Sequence, residues 1–192
     1  MRALAGLGNP GDKYAEHRHN AGWMLLDALE RRHPVVATRE LGKARLSRIR
    51  MKGRREDGGP AELWLIRSRT YMNESGRGVS QARNELGLEP GAILVAFDDI
   101  DLPLGKVRLR ESGGSGGQNG MKSVIEVLGT QKIPRLRLGI RGERATPDTA
   151  DYVLSCFDKD ERDTAAEMVE DAADAVEMTL RAGLIAAMNR YN

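Results

Sequence analysis

Three histidines are the natural candidates for acid–base chemistry in this chain of 192 residues. An imidazole has an unperturbed pKa of about 6.5, so it can take up or release a proton near neutral pH. His17 and His19 lie two residues apart in a polar segment and share a face if the chain is extended. His33 ends a predicted helix, where a surface role is favoured. A metal site at His17 and His19 is disfavoured, since no cysteine or committed carboxylate cluster accompanies them.

Three aspartates, Asp98, Asp99 and Asp101, follow a predicted buried strand at 92–97. Open α/β sheets place their functional sites at the carboxyl ends of the strands. A carboxylate at this position could orient a histidine, as the acid of a catalytic triad does. A metal-binding acidic cluster and a solvated loop are the alternatives.

Three asparagines, Asn9, Asn73 and Asn119, stand in glycine-rich segments or at the starts of predicted elements. A carboxamide offers both a donor and an acceptor and does not ionise. These properties suit it to holding a peptide carbonyl or orienting a water molecule. Helix N-capping is the alternative for Asn73 and Asn119.

Two glycine-rich segments match motifs known from enzymes. Residues 6–11 fit the dinucleotide fingerprint G-x-G-x-x-G, with Glu30 about 20 residues further on. Pro10, however, lacks a backbone N–H that a pyrophosphate would need. Residues 113–117 fit the G-x-S-x-G elbow, which requires a later histidine, and none follows Ser115. A nucleotide-dependent oxidoreductase and a serine nucleophile are therefore disfavoured, and 113–117 are interpreted as a mobile or backbone-donating loop beside a ligand.

Hydrophobic periodicity predicts strands interspersed with helices, as in an α/β sandwich. An Asp-Gly pair at 57–58 predicts a hairpin, and hence a mixed sheet. The predicted strands are 2–7, 44–51, 63–66, 92–97, 106–110 and 135–140. The predicted helices are 22–32, 74–86, 120–128, a long one with an apolar stripe from Ala165 to Val176 that ends at Gly183, and 184–188.

Charge is segregated along the chain, although the formal net charge is only +2. Residues 39–83 contain 12 Lys+Arg against 5 Asp+Glu, and residues 102–144 contain 9 against 3. Residues 145–192 contain 4 against 11. Composition alone gives equal weight to a basic surface for a polyanion and to ordinary solvated strand faces. The acidic block is interpreted as the wet face of an amphipathic helix.

The single cysteine, Cys156, can form no internal disulfide and fits a reducing, cytosolic setting. Its position between Ser155 and Phe157 predicts a small buried side chain rather than a nucleophile. No apolar run approaches the roughly 20 residues that a membrane-spanning helix needs. Residues 1–7 are too short, and too soon followed by glycine, to be a signal peptide.

An ordered set of motifs over nearly the whole length resembles the bacterial-type peptidyl-tRNA hydrolase family. The motifs are GLGNPG at 6–11 with Tyr14, RHNAG at 18–22, TYMN at 70–73 with SG at 75–76, DDIDLP at 98–103, GGQNG at 116–120 and RLRLGI at 135–140. One of them would be weak, but the ordered set is highly specific. The resemblance implies a monomeric, cytoplasmic, three-layer α/β/α hydrolase that forms one domain over 1–192. It also implies cleavage of the ester between a peptide and tRNA without a cofactor or metal.

The resemblance implies a role for each matching residue. His19 would take a proton from water, and Asp98 would orient His19. Asn9 and Asn73 would hold the peptide or place the water, and Asn119 would bind peptide backbone and help stabilise the oxyanion. The other implied substrate contacts are Tyr14 near the 3′ end of the tRNA, Asn20, Tyr71 and Met72. The implied contacts to tRNA phosphates are Arg108, Arg110 and Arg137.

Four positions depart from the family pattern. His17 stands where threonine is common, and Phe97 stands where a histidine can occur. Ser115 and Gln118 replace histidines that some relatives have. An RNA-binding relative that has lost catalysis is an alternative, but such a protein is expected to lack the base or its carboxylate partner.

Overall fold

A computed structural model describes residues 1–55, 57–143 and 149–192 of the chain. Within these residues seven strands form one sheet in the order β2-β3-β4-β1-β5-β7-β6. Their bounds are β1 Ala3–Gly6, β2 Val35–Glu40, β3 Ala44–Arg54, β4 Pro60–Ser68, β5 Ile93–Pro103, β6 Val107–Arg110 and β7 Arg135–Arg141. The helices are α1 Ala21–Arg32, α2 Ser75–Leu86, α3 Asn119–Leu128, α4 Thr149–Val153, α5 Arg162–Ala182 and α6 Leu184–Tyr191. Short 3-10 turns cover Asp12–Tyr14, Arg18–Asn20, Met72–Glu74 and Pro90–Ala92.

The sheet is parallel at its centre and antiparallel at its margins. β1 runs parallel to both β4 and β5, and β5 runs parallel to β7. β2, β3 and β4 pair antiparallel at one margin, and β6 pairs antiparallel with β7 at the other. The carboxyl ends of the central strands therefore meet at one edge, where α/β folds place their sites.

Strand alternation divides the apolar side chains between two cores. In β1, Leu4 faces one side while Ala3 and Ala5 face the other. The core under α1, α5 and α6 includes Leu4, Leu25, Leu29, Leu65, Met168 and Val176. The core under α2 and α3 includes Ala3, Ala5, Ile66, Val79, Val95 and Met121. The predicted α/β/α sandwich around a mixed sheet is confirmed. No described helix is long and apolar enough to cross a bilayer.

The prediction that the three aspartates follow the strand was wrong. β5 does not end at Phe97 but continues to Pro103, so Asp98, Asp99 and Asp101 lie within the strand. It continues because its pairing with β7 extends to Asp99 and, after an irregularity, resumes at Pro103. Polar residues are tolerated there because each carboxylate of Asp98 and Asp99 finds a partner, as described below.

The hydrophobic pattern predicted some of the other helices and strands and missed two of them. The apolar stripe from Ala165 to Val176 is buried in α5, as predicted. The antiparallel β3–β4 pair confirms the hairpin, although Glu56 of its turn lies outside the described residues. β2 was missed because it is an edge strand with largely solvent-facing side chains and little alternation. α4 is only five residues long and was also missed.

Cys156 is exposed, so the prediction of a buried filler was wrong. Cys156 forms an isolated bridge with His17, and its neighbours face inward instead. Phe157 is buried, and the Ser155 hydroxyl accepts a hydrogen bond from the guanidinium of Arg18. Alternation along this short extended segment therefore turns the thiol outward.

His33 is half-buried, not a surface residue as its position suggested. Its Nε2 lies 2.9 Å from Glu177 Oε1 on α5. It thus links the end of α1 to α5.

Candidate active site

His19 and Asp98 form a buried pair at the carboxyl edge of the central strands. His19 lies in the 3-10 turn between β1 and α1, and Asp98 lies on the neighbouring β5. His19 Nδ1 is 2.8 Å from Asp98 Oδ2, and the two residues are 8% and 2% exposed. With Nδ1–H donating to the carboxylate, Nε2 is the nitrogen left to accept a proton. This arrangement can supply a general base.

The turn that carries His19 is held from behind by its neighbour Arg18. The Arg18 backbone N–H donates to the carbonyl of Ser155, and its Nη2 lies 2.5 Å from Glu161 Oε2. The guanidinium also stacks between the rings of Tyr152 and Phe157, 4.4 and 4.8 Å from their centroids. Arg18 was not singled out in the sequence, because all these partners lie more than 130 positions away along the chain.

The start of α1 is pressed against the sheet just after His19. A Cβ at Gly22 would lie 2.6 Å from the carbonyl oxygens of Leu7 and Ala96, so only glycine fits. The close approach brings the turn of His19 next to β5 and Asp98.

Gln118 completes the hydrogen bonding of Asp98. Gln118 Nε2 donates to Asp98 Oδ1 at 2.9 Å, so that both carboxylate oxygens are engaged. Gln118 is also the N-cap of α3, since its Oε1 accepts the backbone N–H of Met121 at 2.7 Å. The sequence analysis placed Gln118 in the GGQNG motif and noted it as a departure from the family pattern, without a role. Its capping role was not foreseen because glutamine is not among the preferred N-cap residues.

Asn9 and Asn20 bind each other beside the pair. The Asn9 backbone N–H donates to Asn20 Oδ1 at 2.8 Å, and Asn20 Nδ2 donates to the Asn9 carbonyl at 3.1 Å. Asn20 is fully buried and holds Asn9 in position, and its contact with substrate stays a prediction. Asn9 Oδ1 accepts the backbone N–H of Met72 at 2.8 Å. Asn9 Nδ2 makes no hydrogen bond to any residue that the structure describes.

The other implied peptide contacts surround this centre. Met72 is buried beside Gln118, with its sulfur 3.2 Å from Gln118 Nε2. Asn73 and Asn119 are exposed, and neither side chain bonds to another described residue. Neither caps a helix, because Gln118 caps α3 and α2 begins without a side-chain cap. Both amides are therefore open to a ligand.

Aromatic side chains lie at one margin of the site. Tyr14 is half-buried, its ring meets His17 edge-on at 5.3 Å, and Lys13 Nζ lies 4.7 Å from the ring centroid. The adjacent Tyr14 side chain raises the pKa of Lys13. Tyr71 is 57% exposed. A cation and exposed rings together suit contact with a nucleotide.

The three predicted phosphate-binding arginines differ in their surroundings. Arg108 is half-buried and Arg110 is exposed on β6, and neither side chain has an ion-pair or hydrogen-bond partner among the described residues. Arg137, on β7, pairs through Nε with the carboxylate of Asp99. Only part of its guanidinium is left for a phosphate.

The rival motifs do not form their sites. The backbone N–H groups of Leu7 and Asn9 donate to Ala96 and Asn20, so they are not directed at a pyrophosphate. The Ser115 carbonyl accepts the Gln118 N–H as part of the turn before α3. Within 1–55, 57–143 and 149–192 no group of three or more histidine, cysteine or acidic side chains is placed to hold a metal ion.

A histidine backed by a buried carboxylate at the carboxyl edge of a three-layer sheet defines an α/β enzyme equipped for acid–base chemistry. The sequence profile described as peptidyl-tRNA hydrolase matches residues 3–192, and the chain belongs to this family. The family predicted from the ordered motifs is thus confirmed.

Individual relatives agree with this membership. A peptidyl-tRNA hydrolase from Symbiobacterium thermophilum is 45% identical over 192 residues, covering 100% of this chain and 98% of that protein. One from Chloroflexus aggregans is 42% identical over 193 residues, with coverage of 100% and 99%. The crystal structure of peptidyl-tRNA hydrolase from Acinetobacter baumannii matches with a TM-score of 0.87 and 28% identity, covering 100% of this chain and 94% of that one.

Proposed function

We propose that this protein hydrolyses the ester bond between a peptide, or an N-blocked aminoacyl group, and the 3′ end of tRNA. The reaction recycles tRNA from peptidyl-tRNA released during translation. The observation that carries the proposal is the buried 2.8 Å contact between His19 Nδ1 and Asp98 Oδ2 beside two open amides. Membership of the peptidyl-tRNA hydrolase family supports the choice of substrate.

In the proposed mechanism His19 Nε2 takes a proton from water as the water oxygen attacks the ester carbonyl carbon. Asp98 orients the ring and balances the charge on the imidazolium. The tetrahedral intermediate then collapses, and the proton passes from His19 to the departing ribose oxygen. The products are tRNA with a free ribose hydroxyl and the peptide acid, which releases its proton to solvent and leaves as the carboxylate. An ester is reactive enough for one positioned base and fixed dipoles to suffice.

The amide side chains hold the acyl part of the substrate. Asn119 binds peptide backbone and helps stabilise the oxyanion, while Asn73 and the free Nδ2 of Asn9 hold the peptide or the water. Met72 lines the floor of the peptide groove. These groups recognise backbone atoms shared by all peptides, which suits a substrate of variable sequence.

The tRNA lies across the basic margin of the sheet. Arg108, Arg110 and the unpaired side of Arg137 contact phosphates, and Tyr14 and Tyr71 lie against the 3′ end. Phosphate contacts carry no direct sequence information, so the protein can accept many tRNAs. Residues 1–192 act as one domain and as a monomer, in the cytoplasm where peptidyl-tRNA is made.

The test is release of peptide from N-blocked aminoacyl-tRNA, with a chelator present. His19→Ala should lower kcat by about a thousandfold and leave tRNA binding nearly unchanged, because only the base is removed. His33→Ala is the matched control. It removes a histidine that also contacts a carboxylate, but one roughly 20 Å away along α1.

Each outcome has a distinct meaning. Near-wild-type turnover in His19→Ala would refute the assignment of the base. A folded wild type that binds tRNA without cleaving would favour a non-catalytic RNA-binding relative. Absence of tRNA binding by a folded wild type would refute the proposed substrate, and loss of activity with the chelator would contradict a metal-independent mechanism.

A further inference from the structure

Gln118 is a buried amide whose two polar atoms serve two different elements. Its Nε2 donates to Asp98 Oδ1 on β5 at 2.9 Å. Its Oε1 accepts from Met121 N in the first turn of α3 at 2.7 Å. The residue is only 9% exposed, so these bonds are not in competition with bulk water. Gln118 is thus the direct link between the carboxylate of the pair and the helix that begins at Asn119.

We infer that Gln118 is a positioning residue for the proposed hydrolysis, acting on His19 through Asp98. A carboxylate held by one oxygen can still rotate about its Cβ–Cγ bond, since that torsion is broad. Asp98 is held by both oxygens, through His19 and through Gln118. Its plane is fixed, and with it the direction in which the imidazole ring points Nε2.

The orientation of the amide is itself determined by the network. The Met121 N–H can only donate and requires an oxygen opposite it, while the Asp98 carboxylate can only accept if ionised. Rotating the amide by 180° would place two donors together at α3 and two acceptors together at β5. The side chain therefore has one satisfied orientation, with nitrogen towards Asp98.

Packing confines the amide further. The Met72 sulfur lies 3.2 Å from Gln118 Nε2. A Cβ at Gly120 would come within 2.3 Å of that sulfur and 3.0 Å of Gln118 Oε1, so a larger residue there would displace the Met72 side chain. Met72 is fixed in turn by the bond from its N–H to Asn9 Oδ1. The chain of contacts runs from Asn9 through Met72, Gln118 and Asp98 to His19.

An amide also keeps this contact neutral. Gln118 does not ionise, so its Nε2–H donates to Asp98 at every pH without adding a charge. The next carboxylate on β5, that of Asp99, is paired with Arg137. A charged side chain at position 118 would therefore add its charge directly to the His19–Asp98 pair.

The decisive variant is Gln118→Glu, which keeps an oxygen for Met121 N but replaces the donor to Asp98 with a carboxylate oxygen. The added negative charge holds a proton on the His19–Asp98 pair. The acid limb of the kcat/KM profile should move up by about one pH unit, and kcat at pH 7 should fall by about tenfold or more. KM should change little, since the amides that hold substrate are untouched. Gln81→Glu is the matched control. Gln81 lies on α2, where its Oε1 accepts the N–H of Lys43, and it bonds to neither His19 nor Asp98. The pH profile of kcat/KM of this variant should stay at the wild-type position.

Two further variants separate positioning from folding. Gln118→Met removes donor and cap without adding charge, and should lower kcat without moving the acid limb upwards. Gln118→His restores an N–H donor and should recover kcat to within a few-fold of wild type. If Gln118→Glu does not fold, the comparison of Gln118→His with Gln118→Met tests the inference. Recovery of kcat in Gln118→His supports it, and a loss of kcat equal to that of Gln118→Met overturns it.

The inference and the proposed function fail in different ways. If wild type does not cleave peptidyl-tRNA, the function fails. If wild type cleaves and Gln118→Glu keeps an unshifted profile, with activity lowered equally at all pH values and a lower Tm, Gln118 is only a helix cap and the inference fails.

Discussion

β6 and β7 carry arginines at two directly opposed positions, and among the described residues only the β6 member of each pair has no side-chain partner. Arg108 and Arg110 on β6 lie directly opposite Arg137 and Arg135 on β7. The side chains of the β6 arginines have no ion-pair or hydrogen-bond partner in the described part of the chain. Arg137 is paired with Asp99, and Arg135 is buried. The two strands have arginine at alternate positions, so the sequence alone could not show which strand offers its arginines to phosphate and which uses them to hold the fold together.

Position in the sheet explains the difference. β6 is the edge strand and has one neighbour, whereas β7 lies between β6 and β5. Arg135 and Arg137 on β7 are therefore flanked by strands on both sides, and each has partners nearby. The guanidinium of Arg135 donates five hydrogen bonds to the carbonyls of Gln131, Ile133, Gly113 and Gly114, at 2.6 to 3.1 Å. Burial, and then the charge of Arg137, lower the pKa of Arg135.

The same contacts concern the glycine-rich loop. Residues 113–117 are predicted to be mobile or to donate backbone N–H groups to a ligand, and that stays a prediction. The carbonyls of Gly113 and Gly114 accept hydrogen bonds from Arg135, which links the start of the loop to β7. The loop leads directly into Gln118, so Arg135 supports the site from a distance.

The largest expected effect is that of Arg135→Met. The substitution removes five hydrogen bonds of a buried guanidinium and leaves the carbonyls of Ile133, Gly113 and Gly114 without that donor, while Gln131 keeps the N–H of Gly113. We expect the free energy of unfolding to fall by about 3 kcal/mol, measured by urea denaturation. Arg110→Met, at the opposite position on β6, should change it by less than about 0.5 kcal/mol. Equal losses in the two variants would show that the two strands do not differ as the contacts indicate.

The fold was largely predictable because its signals are local. Alternation gave most strands, and the stripe of α5 was correct residue by residue. β2 was missed because its side chains face solvent and carry no periodic signal. The extension of β5 through Asp98 was missed because it depends on pairing with β7, some 40 positions later.

The candidate site was predictable only in part. The residues themselves suggested a histidine, a carboxylate and amides, but the pairing of His19 with Asp98, 79 positions apart, came from the family resemblance. The contacts of Gln118 and Arg135 had no local signal at all. A hydrogen bond between distant side chains depends on topology, which a short window of sequence does not contain.

A second prediction tests whether β6 is the phosphate-binding strand. In a His19→Ala background, Arg108→Ala combined with Arg110→Ala should weaken tRNA binding by about tenfold at 0.1 M salt. It should also reduce the slope of log K against log salt by about 1 to 2. Binding is measured by titration at several salt concentrations. Arg137→Gln should reduce the slope less, because Asp99 already neutralises much of that charge. A slope that falls most in Arg137→Gln would place the tRNA on β7 instead.

The smallest expected effect comes from Asp99→Asn, which should leave Arg137 on β7 without its carboxylate partner. The amide keeps an oxygen for the backbone N–H of Asp101 but removes the negative charge that holds Arg137. We expect tRNA binding to tighten by about two- to threefold, with a salt slope steeper by up to about 1, because a full cation becomes available to a phosphate. Asp101→Asn is the matched control, since it changes the net charge equally two residues further along β5 and leaves the Arg137 pair intact. Equal tightening in both variants would indicate a general charge effect. Tightening confined to Asp99→Asn would show that the ion pair alone keeps Arg137 from acting like the arginines of β6.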